Sequence, residues 1–205
     1  MVKSKIIPVG LYEANCIILW NESNKALNID PGADADLITE YIEKAKLEPV
    51  AVFLTHGHFD HVSGVDGILE KYTLPVYLHG GDKELLFCDL NISQPGYPRI
   101  MREDAINYSL DEGDEIPLFG GKILHTPGHS KGSTCLYFES DKLLISGDTL
   151  FSGSIGRTDL PGGSYMQIMK SLKRLTELPD ETMVISGHGP ITNIRSEKLD
   201  NPYLQ

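Results

Sequence analysis

The chain has 205 residues, 40% of them hydrophobic and 23% charged, and a formal net charge of -11. That length suits one domain over residues 1–205, and the acidic balance excludes a phosphate backbone, so no nucleic acid, as partner. No run of about 18 apolar residues occurs and the first ten residues hold no signal-like apolar stretch, so neither a membrane helix nor a secretory leader is expected.

In chain order, the short apolar runs at 14–20 and 25–29 predict strands. Asp30-Pro31-Gly32 predicts a turn, and Asp34 or Asp36 is expected to cap a helix over 35–46. A compact apolar strand is expected at 50–54, ending in a His-rich loop. Next come a helix over 62–72, a strand at 76–78, a helix at 82–87 and an irregular stretch over 88–107. The stretch reads equally as a pocket cover, with Tyr97 and Arg99 facing substrate, and as a surface excursion. Four strands are expected at 116–119, 122–125, 133–138 and 142–145. An amphipathic helix at 165–175 and a strand at 182–185 complete the series. Strands with helices between them predict a layered α/β protein with sheets inside and helices outside.

The densest chemical signal is Thr55-His56-Gly57-His58-Phe59-Asp60-His61. Imidazole and carboxylate are the ligands of zinc and similar divalent metals. His56 and His58 are two residues apart, so an extended backbone points both the same way. A turn after Phe59 then presents Asp60 and His61 as a second pair. One ion does not readily take four ligands from so short a loop, whereas two neighbouring ions share them. Three other loops follow strands in the same manner and carry His129 in HTPGH, Asp148 in SGDT and His188 in SGHG. Ligands gather where loops converge at strand ends.

In that order, THGHFDH, HTPGH, SGDT and SGHG resemble the metallo-β-lactamase fold. The resemblance implies a four-layer αββα sandwich with a binuclear centre at one edge. It further implies His56, His58 and His129 on one metal, Asp60, His61 and His188 on the other, and Asp148 bridging. The ions would be two divalent metals, zinc first, then iron or manganese. Asp30 is expected behind the ligands, steadying their loop. Residues 147–151 with Gly156-Arg157, the stretch 154–163 and Asn201-Pro202-Tyr203 resemble the small single-domain glyoxalase II-like hydrolases. That likeness implies hydrolysis of a thioester such as S-lactoylglutathione by a metal-bound hydroxide. Asp60 and Asp148 would be the catalytic carboxylates and Arg157 a contact to a substrate carboxylate. Two departures stand out: Asp159 and Pro190 occupy places where the full-length enzyme has tyrosines, and its C-terminal helical glutathione-binding domain has no counterpart in this reading. The alternatives on the same fold are a mononuclear-iron oxidoreductase resembling persulfide dioxygenases, a lactone hydrolase, and a diiron redox partner.

His125 and His79 are expected to make structural hydrogen bonds. Arg157 pairs either with substrate or with Asp159. Cys16, Cys88 and Cys135 form no CxxC pair, so reduced thiols in a cytoplasmic protein are expected, with a small-molecule substrate as partner.

Overall fold

A computed structural model describes residues 2–99, 103–108 and 110–205. Residues 100–102, part of the 88–107 stretch, lie outside it. The chain divides into two compact units, residues 1–110 and 111–205.

The first unit is built on a six-stranded sheet in sequential order. Its strands are β1 (Lys3–Val9), β2 (Ala14–Trp20), β3 (Lys25–Ile29), β4 (Glu48–Phe53), β5 (Val76–Tyr77) and β6 (Ile106–Asn107). The first three form antiparallel hairpins, because turns of a few residues join them. From β3 to β6 every pairing is parallel, since a crossover separates each pair. β2 reads ANCIILW and is buried along nearly its whole length, which is how a strand covered on both faces reads. Helix α1 (Ala35–Lys44) contributes Ile38 and Ile42 to the core, and α3 (Val65–Lys71) contributes Val65, Ile68 and Leu69. Burying these side chains contributes roughly 1.5–3 kcal/mol each.

The expected helix over 62–72 is two helices, α2 (Phe59–Val62) and α3. The break lies at Ser63-Gly64, where Gly64 N–H donates to the Pro31 carbonyl and a Cβ on Gly64 would come 2.6 Å from that oxygen. The expected helix at 82–87 is two 3-10 turns, 80–82 and 85–87. A four-residue helix, α4 (Asp89–Ile92), follows within the stretch read as irregular. Asp34 stands at the N-terminus of α1 but makes no cap bond, because its carboxylate accepts from Gly10 N–H at 2.8 Å.

In the second unit the strand order is β13-β12-β9-β8-β7. β7 (Lys122–His125), β8 (Thr134–Phe138) and β9 (Leu143–Gly147) form an antiparallel meander. β12 (Met183–Ser186) joins β9 in parallel, after the crossover through α5 (Tyr165–Leu175), and β13 (Thr192–Asn193) closes the edge. A two-stranded ribbon, β10 (Leu150–Phe151) and β11 (Ser154–Ile155), follows β9. The amphipathic helix expected at 165–175 is α5: Ile168, Leu172 and Leu175 are fully buried in one cluster with Leu144 and Val184, whereas Met166, expected on the same stripe, is exposed. The C-terminal helix α6 (Ile194–Asp200) was not foreseen, although Asn193 caps it by accepting from Ser196 N–H. The strand expected at 116–119 is a tight turn, in which Phe119 and Gly120 N–H both donate to the Ile116 carbonyl. Pro117 has no N–H for a ladder there.

Candidate metal centre

β4 ends at Phe53, and the next residues form the loop that carries four of the seven expected ligands. The histidine rings on it cluster as alternation predicts. His56 and His58 have ring centroids 4.9 Å apart, and His56 and His61 4.2 Å apart. His56, His58 and His61 are all buried.

Asp30, at the end of β3, lies beneath this loop and is fully buried. Its Oδ1 accepts from Thr55 N–H at 2.8 Å. Its Oδ2 accepts from the Thr55 hydroxyl at 2.6 Å and from His61 Nδ1 at 3.0 Å. Thr55 Oγ1 spends its proton on Asp30, so the 3.1 Å contact to His56 Nδ1 is accepted by the hydroxyl. One carboxylate therefore fixes the tautomer of two imidazoles, with the proton on Nδ1 and the lone pair on Nε2. Asp30, His56 and His61 each bring one donor atom within 4.8 Å of the others. Asp30 holds a left-handed φ of +49°, a conformation Asp tolerates better than most residues. A Cβ on Gly32, two residues on, would fall 1.6 Å from the Asp60 carbonyl oxygen, so only glycine lets this turn pass under the ligand loop.

The second unit presents its expected ligands differently. His129 follows β7, Asp148 follows β9 and His188 follows β12. His129 Nδ1 donates to the Arg157 carbonyl at 2.8 Å, which again leaves the lone pair on Nε2. Asp148 Oδ2 lies 3.6 Å from His129 Nε2 and 3.8 Å from His188 Nε2. In the first unit, Asp60 Oδ2 lies 3.8 Å from His61 Nε2. These distances exceed a hydrogen bond. They lie a few tenths of an ångström beyond the separation of two ligands on one tetrahedral cation, about 3.4 Å from metal–ligand bonds of about 2.1 Å. For His129 and His61 the facing groups are a lone pair and a carboxylate oxygen, which repel unless a cation lies between them. The donor set and its geometry fit divalent metal.

Asp148 is followed by the β10–β11 ribbon and then by Arg157. A Cβ on Gly156 would meet the Asp148 carbonyl oxygen at 1.8 Å, so the ribbon returns against the backbone of Asp148. Helix α6 ties the ribbon down. Buried Glu197 accepts from Gly153 N–H at 2.9 Å, the Thr192 hydroxyl at 2.6 Å and Asn201 Nδ2 at 2.8 Å, while Asn201 Nδ2 also donates to the Ser154 carbonyl. Arg157 forms a two-bond pair with Asp159, at 2.8 and 2.7 Å. The guanidinium beside it holds the Asp159 carboxyl down at about 2.

The remaining candidates take structural bonds. His125 Nε2 donates to the Lys131 carbonyl, and His79 Nδ1 accepts from Gly81 N–H. Tyr97 is buried, its hydroxyl accepts from Tyr12 N–H, and its ring packs on Phe59. Arg99 lies over the Phe87 ring. Two further polar side chains were not singled out from the sequence: buried Asp82 and Asn91 bond the backbone of Gly57 and Phe59. Burial raises the Cys135 thiol to about 11 and pushes Cys16 up as well, so neither is a ready thiolate nucleophile. Among the described residues, no helix is long and apolar enough to cross a membrane.

Comparison with known proteins agrees with this chemistry. The model of the metallo-beta-lactamase superfamily matches residues 9–188. Hydroxyacylglutathione hydrolase GloC of Haemophilus influenzae is 34% identical over 98% of this chain and 97% of its own length. Among solved structures, the BLEG-1 B3 metallo-beta-lactamase is 36% identical, with a TM-score of 0.90 over 100% of this chain and 99% of that one. TTHA1623, solved in a di-iron-bound form, is 38% identical, with a TM-score of 0.86 over 98% and 100%. The chain thus belongs to the metallo-beta-lactamase superfamily and has its α/β fold.

Proposed function

We propose that the ligands of both units serve one two-metal centre in a single hydrolase domain, and that the substrates are thioesters of the hydroxyacylglutathione class. Superfamily membership is what joins the two ligand sets in this reading. His56, His58 and His129 would hold one cation, Asp60, His61 and His188 the other, with Asp148 between them. Zinc is the first choice and iron the second. The observation that carries the proposal is the repeated approach of an imidazole Nε2 to a carboxylate oxygen at 3.6–3.8 Å, too long for a hydrogen bond and suited to a shared cation.

Bound there, two divalent cations would supply polarisation of a carbonyl oxygen and a water of near-neutral pKa. The chain's own work is to present donors. Asp30 keeps the Nδ1 proton on His61 directly and on His56 through Thr55, so both rings offer Nε2. The Arg157 carbonyl does the same for His129. Asp60 and Asp148 supply the negative charge that two dications require. A thiol leaves with an unperturbed pKa of about 8.5, so the chain need not supply a strong general acid.

The thioester assignment is supported by the likeness to GloC. The Arg157–Asp159 pair occupies one edge of the guanidinium, which supports modest reliance on the glutathione carboxylates. The test is a substrate panel on protein purified without added metal: S-lactoylglutathione, a truncated acyl thioester, a lactone and a β-lactam, with oxygen uptake followed on glutathione persulfide. Both thioesters should exceed the lactone and the β-lactam by about a hundredfold in kcat/KM, roughly 2.7 kcal/mol of transition-state stabilisation. A preference for β-lactam or lactone, or oxygen consumption with the persulfide, would overturn the thioester assignment.

A further inference from the structure

The loop that carries His56, His58, Asp60 and His61 runs from the end of β4 into α2, and side chains bond the peptide groups on either side of His58. Gly57 N–H donates to Asp82 Oδ2 at 2.9 Å, and Asn91 Nδ2 donates to the Gly57 carbonyl at 2.5 Å. Phe59 N–H donates to Asn91 Oδ1 at 3.2 Å. Asn91 thus bonds the backbone on both sides of His58. Asp82 and Asn91 are 1% and 4% exposed, so water does not readily substitute for them. A Cβ on Gly57 would stand 3.2 Å from the Asp82 Cβ, so the loop lies close against its support.

We propose that Asp82 and Asn91 are positioning residues for the metal loop, setting the aim of His58 through the backbone of Gly57 and Phe59. This rests on the metal reading of that loop. It assigns part of the segment after residue 79 a definite task, holding ligands in place from behind. A buried backbone group left without its bond favours a shifted loop, and outer-shell partners of metal ligands typically govern affinity by ten- to a hundredfold.

The test uses the full chain, stripped with a chelator and titrated with Zn2+ against a chromophoric chelator and with Co2+ by absorption. Asn91→Leu and Asp82→Leu should each weaken Zn2+ binding by about ten- to a hundredfold and alter the Co2+ spectrum. Asp82→Asn keeps a carbonyl acceptor for Gly57 N–H and should stay within about threefold of wild type. Leu69→Ala, in the core of α3, should lower the melting temperature of the metal-free chain while leaving affinity unchanged. If Asn91→Leu does not fold, Asn91→Ser withdraws the amide more gently and should show the same loss. Wild-type binding together with unchanged binding in the Asn91 and Asp82 variants overturns this proposal alone, as does an equal affinity loss in Leu69→Ala. A wild-type chain that takes up neither metal overturns the metal reading and this proposal with it.

Discussion

The two units solve one problem in opposite ways. In the first, four candidate ligands crowd into six residues after a single strand, and buried side chains from distant sequence, Asp30, Asp82 and Asn91, hold the loop. In the second, His129, Asp148 and His188 stand one to a strand end, and backbone supports them: the Arg157 carbonyl fixes His129, and the ribbon folds back on Asp148. Ligands spread over three strands inherit their positions from sheet register. Ligands on one irregular loop need dedicated side chains. Mutations of supporting residues should therefore act more strongly in the first unit than in the second.

The largest effect is expected at Asp148, the one residue assigned to both metals. Asp148→Ala should lower kcat/KM by at least about a thousandfold, roughly 4 kcal/mol, with loss of bound metal measured on the same sample. Retained activity would break the comparison, because no second-unit ligand would then be shared.

Next comes Asp30→Asn. An amide cannot accept all three donors that now converge on Asp30, so His61 and the Thr55–His56 pair lose their fixed proton positions. Zn2+ affinity should fall about ten- to a hundredfold. Thr55→Val removes only the His56 arm and should cost less; an equal loss would show that Asp30 does not act through two arms.

Glu197→Gln probes support in the second unit. It leaves one buried donor among Gly153 N–H, the Thr192 hydroxyl and Asn201 Nδ2 badly paired, at about 1–3 kcal/mol of stability by thermal denaturation. Its effect on metal affinity should be smaller than that of Asp30→Asn. A larger effect would reverse the contrast between the units.

The smallest effect is expected at Arg157. Its partner Asp159 is exposed, so the pair adds little to folding. Arg157→Ala should raise KM for S-lactoylglutathione by a few-fold, roughly, and leave kcat nearly unchanged. Steady-state kinetics on the full and truncated thioesters would reveal a larger dependence.

What the sequence made legible follows the same divide. The candidate ligands stood out because His and Asp after buried strands have few other reasons to recur. Asp30 was expected from the resemblance and its Asp30-Pro31-Gly32 turn, and the structure gives the reason: it ends β3, which pairs in parallel with β4 and so lies beside the loop after β4. Asp82 and Asn91 were not visible. They lie 25 and 34 residues from Gly57, Asp82 at the start of the expected helix at 82–87 and Asn91 in the stretch read as irregular, and only folding brings them together. The expected helix at 62–72 is shortened to α3, because Gly64 bonds Pro31 from the turn after β3, and the one at 82–87 is replaced by two 3-10 turns, the first of which carries Asp82. The missed α6 had a readable signal, the Asn193–Ser196 cap.

The central claim is that both units' ligands hold two metals, and metal content per chain tests it most directly. Protein purified without chelator or added metal and analysed by elemental mass spectrometry should carry about two divalent ions per chain, with both lost or weakened in Asp148→Ala. One tightly held ion per chain, retained when Asp60 and His61 are replaced by alanine, would contradict it.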